Sequence, residues 1–153
     1  MTGPAPLPYT GCVAGKCAGR FVFLAVVLAL VSPDASLAEH TVYYRYTVLG
    51  YVKEANGTAR SGVEVELVRE KTGFSYLGET DETGLYVIVA RLGDESVGET
   101  LRLRTAKRTV TISARFEPAD HVHERGTRLD FIGEKPVETP AAFLATLQRF
   151  LAR

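Results

Sequence analysis

The run Asp120-His121-Val122-His123-Glu124 is the one cluster of the sequence that could hold a transition metal. On an extended backbone, side chains at i and i+2 point the same way, so the two imidazoles can converge on a metal ion that Asp120 or Glu124 completes. Such donors suit zinc or copper. The third histidine, His40, becomes the second residue of a chain cleaved after Ala38, where the new amine and the imidazole can join as ligands. The metal-site expectation is therefore His40, His121 and His123 holding zinc or copper. The competing reading is a solvated polar loop, because no cysteine or methionine ligand follows residue 38. The spacing His121-Val-His-Glu124 also fits the H-x-x-E of zinc carboxypeptidases, but a catalytic domain of that class needs far more chain than the 153 residues present.

Other clusters carry less. Glu79, Asp81 and Glu82 can suggest calcium, yet Asp81-Glu82-Thr83-Gly84 reads more simply as a turn in which the aspartate caps backbone donors and the glycine takes a left-handed conformation. Arg102, Arg104, Arg108 and Arg115 make one strand face basic without the interleaved aromatics of a nucleic-acid platform. No Gly-x-Ser-x-Gly elbow is present and no cysteine follows Cys17, so no nucleophile and base can be paired and no catalytic residue is named. The expectation is that the chain is not an enzyme.

The N-terminal segment has the order of a secretory signal. Lys16 and Arg20 precede the apolar run Phe21 to Val31, and Ser36-Leu37-Ala38 places small residues where a signal peptidase reads them. The run falls short of the roughly 20 apolar residues that span a bilayer. Residues 1–38 are read as a signal peptide and the product as periplasmic or secreted. Cys12 and Cys17 leave with it, so the mature chain stands in a disulfide-permitting compartment and must rely on packing. Removing 38 of 153 residues leaves 115, enough for one domain, with 16 basic against 17 acidic residues. That balance excludes bulk-charge attraction to nucleic acid or an anionic membrane.

These side chains must be positioned by strands. From Val42 to Lys53, Tyr44, Tyr46, Val48 and Val52 share one face and Tyr43, Arg45, Thr47 and Tyr51 the other, with Gly50 marking a bulge or a close neighbour. Asn56-Gly57 is a tight-turn dipeptide, and Asn56-Gly57-Thr58 is also a glycosylation sequon. Val63 to Arg69 alternates, Ser75 to Thr80 is a short third strand, and Leu85 to Arg91 is apolar throughout, which predicts a central strand covered on both faces. Thr100 to Ala106 and Arg108 to Phe116 alternate on either side of a tight hairpin, and Thr127 to Ile132 closes the set. The fold class is mainly β, an antiparallel sandwich of about seven strands. Residues 39–133 form that domain, and 134–153 a linker and a short C-terminal amphipathic helix. Thr139 is placed as its N-cap and Pro140 at its first turn, and Phe143, Leu144, Leu147, Phe150 and Leu151 form one apolar stripe that either packs on an open face of its own sandwich or docks into a partner or a membrane surface.

Thr47-Val-Leu-Gly50-Tyr-Val, Gly62-Val-Glu-Val-Glu-Leu67 and Thr80-Asp-Glu-Thr-Gly-Leu-Tyr86 together resemble the carboxypeptidase regulatory-like domain, a transthyretin-like β-sandwich. The resemblance covers about residues 42–116. It implies structural roles for Gly50, Gly62, Asp81, Gly84 and Tyr86, and an accessory module without catalytic residues of its own. The expected function is then an exported, non-catalytic module that binds another exported protein through a sheet edge or the terminal helix. Envelope binding of zinc or copper is the alternative, and no nucleic-acid or lasting membrane contact is expected. Carbohydrate binding lacks a tryptophan platform, since the chain has no Trp.

Overall fold

A computed structural model of the chain describes residues 42–153. The leader, Cys12, Cys17 and His40 lie outside the described residues. Among the described residues, eight strands form two four-stranded sheets, and one short helix follows them. The first sheet has the order β4-β1-β7-β8, from Leu85–Leu92, Tyr44–Lys53, Arg125–Ile132 and Lys135–Glu138. The second has the order β3-β2-β5-β6, from Ser75–Glu79, Glu64–Arg69, Thr100–Thr105 and Arg108–Ser113. The β-sandwich expected from the alternation is present, with one strand more than counted.

Period-2 alternation explains the shared core. Tyr46, Val48 and Val52 from β1, Val65 and Leu67 from β2, Leu101 and Leu103 from β5, and Leu129 and Phe131 from β7 meet between the sheets, all at most 6% exposed. Each leucine buried in this way contributes about 1.5–3 kcal/mol. The β5–β6 hairpin turns at Ala106-Lys107, with Thr105 opposite Arg108, as the sequence predicts.

Three features depart from the expectation. The first sheet is mixed, because β1 and β7 run parallel with Tyr46 opposite Arg125 and Val52 opposite Phe131. The apolar strand β4 is an edge and not a centre. Its outer face carries Val87, which packs with the helix, and Val89, which is 45% exposed, so cover from a helix replaces cover from a second strand. Residues 135–138, read as linker, form edge strand β8, in which Phe131 faces Pro136. Proline lacks an N–H and is tolerated there because an edge leaves one side of the ladder unpaired. The boundary placed between residues 133 and 134 falls inside the β7–β8 hairpin.

The helix starts later than predicted. Pro140–Ala142 is a 3-10 turn, and α1 spans Phe143–Leu151. Thr139 makes no side-chain capping bond, whereas the Thr146 hydroxyl donates to the Ala142 carbonyl at 2.8 Å. Phe143 and Leu147 are buried against Leu49 and Val87 of the first sheet. A Cβ at Gly126 would come within 2.5 Å of the Phe143 ring, so the glycine opens the notch that the ring fills. Among the described residues, no helix is long and apolar enough to cross a membrane.

Candidate functional site

The five residues of the motif resemblance all serve shape. A Cβ on Gly50 would lie 1.8 Å from the Leu129 carbonyl oxygen, so only glycine lets β1 approach β7 this closely. Between Leu49 and Val52 the parallel pairing lapses, and the Tyr51 N–H donates instead to Asp130 Oδ1 at 2.9 Å. Tyr86 is fully buried and its hydroxyl donates to the Leu129 carbonyl at 2.6 Å, which resolves the cost of burying a phenol. Gly62 and Gly84 have φ of 66° and 77°, in the region glycine favours. Asp81 Oδ1 accepts from the Thr83 and Leu85 N–H groups and the Thr83 hydroxyl, while Oδ2 meets Arg153 at 2.6 Å. Desolvation, the largest single influence on Asp81, acts upward, but these bonds together bring its carboxyl down to about 2.

The histidine loop lies where β1 begins. His121 stacks on Tyr44 with centroids 4.3 Å apart and planes 9° from parallel, and its Nε2 is 2.9 Å from Asp94 Oδ2. Asp94 Oδ1 accepts from Arg125 at 2.8 Å. The Arg125 guanidinium lies 4.6 Å from the Tyr44 ring and 4.5 Å from the Phe116 ring and donates to the carbonyls of Pro118 and Asp120. His123 Nδ1 lies 2.7 Å from Asp120 Oδ2, and Asp120 Oδ1 accepts from the Val122 and His123 N–H groups. The His123 N–H contributes most to holding the Asp120 carboxyl down at about 2. Glu124 pairs with Arg45 at 2.8 Å.

The two imidazoles are thus committed to different carboxylates. Residues 120–124 bend and do not form the extended strand that would aim both rings one way. Among the described residues, no group of three or more His, Cys, Asp or Glu side chains is arranged to hold a metal ion.

The same end carries a second arginine clamp. Arg69 makes a bidentate pair with Glu99 at 2.8 and 2.7 Å, and donates to Ser96 Oγ and the Arg91 carbonyl. Both side chains are under 8% exposed. The guanidinium lowers the Glu99 carboxyl below its usual range, and the carboxylate raises Arg69 in return. No buried side-chain nitrogen or oxygen among the described residues lacks a partner.

The opposite end, where β1 stops, is open. A cleft of about 300 Å³ enters between the sheets. Val52, Val63 and Phe131 supply apolar lining, and Lys53, Arg60, Lys107 and Arg108 face Glu54 and Glu134 around it. Arg60 is taken by Glu54 at 3.2 Å, and the Lys53 ammonium sits 4.9 Å from the Tyr51 ring centre. Among the described residues, Lys107 and Arg108 form no ion pair. A wider depression of about 460 Å³ crosses the outer face of the second sheet, but its base is the Arg104–Glu66 ion pair and it lacks an apolar floor.

Of the charged cleft residues the sequence marks Arg108 alone, as part of a basic strand face. The adjacent cations Lys107-Arg108 at a tight hairpin were the available signal, but their place in one cleft with Val63 and Phe131 depends on a sheet pairing that no local pattern reveals. The helix stripe is divided: Phe143 and Leu147 are spent on the protein's own sheet, which corrects their assignment to partner docking, while Leu144, Phe150 and Leu151 are 49%, 38% and 71% exposed.

No known family's sequence profile matches the chain, and no curated protein matches it. The resemblance to the carboxypeptidase regulatory-like domain therefore rests on its motifs alone. Among solved structures, the dioxygenase domain of a dioxygenase and carbohydrate-binding protein fusion from the cellulolytic bacterium Streptomyces sp. SirexAA-E is similar at a TM-score of 0.43 and 16% identity, over 63% of this chain and 83% of that one. Chlorocatechol 1,2-dioxygenase from Pseudomonas putida is similar at 0.42 and 12%, over 59% and 60%. Both neighbours are enzymes. They run against the expectation of a non-catalytic module for protein–protein interaction, which is not retained. At such distance they transfer no reaction, substrate or metal to this chain.

Proposed function

We propose that the protein is exported after removal of residues 1–38 and binds a small organic ligand in the cleft at the Lys53 end of the sandwich. The observation that carries this reading is the cleft itself. Its volume of about 300 Å³ holds roughly ten water molecules and lies at the lower end of the range that ligand pockets occupy. It combines apolar lining, the half-buried Val63 in front of the buried Val52 and Phe131, with charged groups at its margin. Apolar lining supplies burial free energy, and the few polar groups fix orientation. At the other end the Asp94 and Glu99 carboxylates are already paired with Arg125 and Arg69.

The test is amide chemical-shift mapping of the mature protein with hexanoate as the probe. Shifts should concentrate at Ala55, Ala106 and Gly133 and spare Tyr44 and His121. Ala55→Trp, which places an indole in the opening, should abolish them without altering the melting temperature. Shifts spread evenly over the surface, or unchanged by Ala55→Trp, would reject the site. The export half of the reading is checked by the intact mass of protein recovered outside the cytoplasm, which should correspond to a chain starting at Glu39.

A further inference from the structure

Resting on the cleft as a binding site, we infer that its ligand class is a small organic carboxylate with a compact apolar tail, the tail against Val63 and the carboxylate at Lys107 and Arg108. Three observations on the cleft converge. Its apolar lining comes from both sheets, with Val63, on the chain entering the second, half-buried and open to a tail, and Val52 and Phe131 of the first buried behind it. Four cations and two carboxylates surround it. One of those carboxylates, Glu54, is spent on Arg60, and this leaves Lys53, Lys107 and Arg108 against Glu134, a net positive margin that can receive an anion.

The chemistry discriminates among ligands. A cationic head would meet an excess of like charge at the rim, where the attraction or repulsion is only partly screened. An inorganic anion could reach the guanidinium but would leave the apolar lining wet. A neutral molecule of the same shape gains the burial without the charge-assisted hydrogen bonds. Arg108 is half-buried and opens β6, so its backbone is fixed by the strand, and its guanidinium offers a planar fork to a carboxylate. Lys107 is exposed in the two-residue turn and adds a second positive charge at little structural cost.

The experiment titrates the mature protein with hexanoate, hexan-1-ol and hexylammonium, reading Kd from amide shifts. Hexanoate should bind about tenfold more tightly than hexan-1-ol, the equivalent of about 1.4 kcal/mol, and hexylammonium more weakly than either. In Lys107→Glu/Arg108→Glu, hexanoate should lose about tenfold while hexan-1-ol is unchanged, and the neutral Lys107→Gln/Arg108→Gln should fall between. Well-dispersed spectra and unchanged hexan-1-ol binding verify that the variants fold. Equal Kd values for hexanoate and hexan-1-ol, tighter hexylammonium, or indifference of hexanoate to charge reversal would each overturn the ligand class while leaving the cleft a site. Failure of all three probes to bind would overturn the cleft reading with it.

Discussion

At the end of the sandwich where β1 begins, Arg69 and Arg125 each meet a carboxylate from residues 94–99, whereas at the end where β1 stops, Lys107 and Arg108 meet none among the described residues. Both ends are made from arginines, carboxylates and aromatic rings carried on strand termini. In one the polar groups satisfy one another and close the core. In the other the cations border an open cleft with part of its lining apolar. Charge completed inside the protein holds the fold, and charge left incomplete beside apolar surface is available to a ligand. Substitutions at the closed end should therefore change stability, and substitutions at the open end should change binding.

The largest effect is expected at Arg69. Arg69→Met leaves the Glu99 carboxylate about 5% exposed and without its partner. Breaking a buried pair from one side costs about 3–5 kcal/mol, read as a lower urea midpoint at unchanged slope. Replacing both residues in Arg69→Met/Glu99→Leu should restore most of the loss, since no unpaired charge remains. If the single variant melts like the parent, the closed end is not held by this clamp.

Arg125→Met should cost less, about 2 kcal/mol, because its partner Asp94 is 38% exposed and can be rehydrated. The lost contacts to Tyr44 and Phe116 and to the carbonyls of Pro118 and Asp120 make up much of that figure. A loss equal to that of Arg69→Met would show that exposure of the partner does not set the difference.

The unequal legibility of the two ends in the sequence has a physical origin. Alternation exposes which face of a strand is apolar, so the inward residues of β2, β5 and β6 and the hairpin at Ala106-Lys107 could be read directly. Alternation says nothing of which strands become neighbours. The closed end joins Tyr44, Asp94, Phe116 and Arg125, separated by up to 81 positions, and only the parallel pairing of β1 with β7 brings them together. Residues 117–128 therefore looked like a solvated loop with two histidines, and the arginine that anchors it went unmarked. The open end is hidden for the same reason, since its lining comes from the ends of β1, β2, β5 and β7. Leu85–Leu92 looked central because a sequence cannot tell cover by a helix from cover by a strand, and β8 was missed because Pro136 reads as a break unless the strand is known to be an edge.

Acid should loosen the closed end through Asp94 and Asp120. Hydrogen bonds from the His123 N–H and imidazole hold the Asp120 carboxyl at about 2, below the roughly 3.9 of an unfolded aspartate. Burial is the largest influence on Asp94 and raises it, but His121 and Arg125 together outweigh it and the net shift is downward. A depressed folded value means that the stabilisation is complete above the unfolded pKa, about 4, and is lost as pH falls toward about 2. Urea midpoints should be flat from pH 7 to 5 and decline below about 4. Asp120→Asn should make that decline shallower. An unchanged slope would show that these carboxylates do not couple the loop to folding.

The smallest expected effect on stability is at the open end, and it is the sharpest check on the comparison. Lys107 is exposed, Arg108 is half-buried, and no ion pair among the described residues uses either. Surface substitutions away from buried contacts change stability by no more than about 0.5 kcal/mol. Lys107→Gln and Arg108→Gln should therefore keep the urea midpoint of the parent while weakening hexanoate. Relief of the repulsion among the clustered cations can even raise the midpoint slightly, and added salt should shrink that gain by screening the parent. A destabilisation of about 2 kcal/mol, comparable to Arg125→Met, would mean that these cations are structural after all. The two ends would then differ in shape and not in purpose.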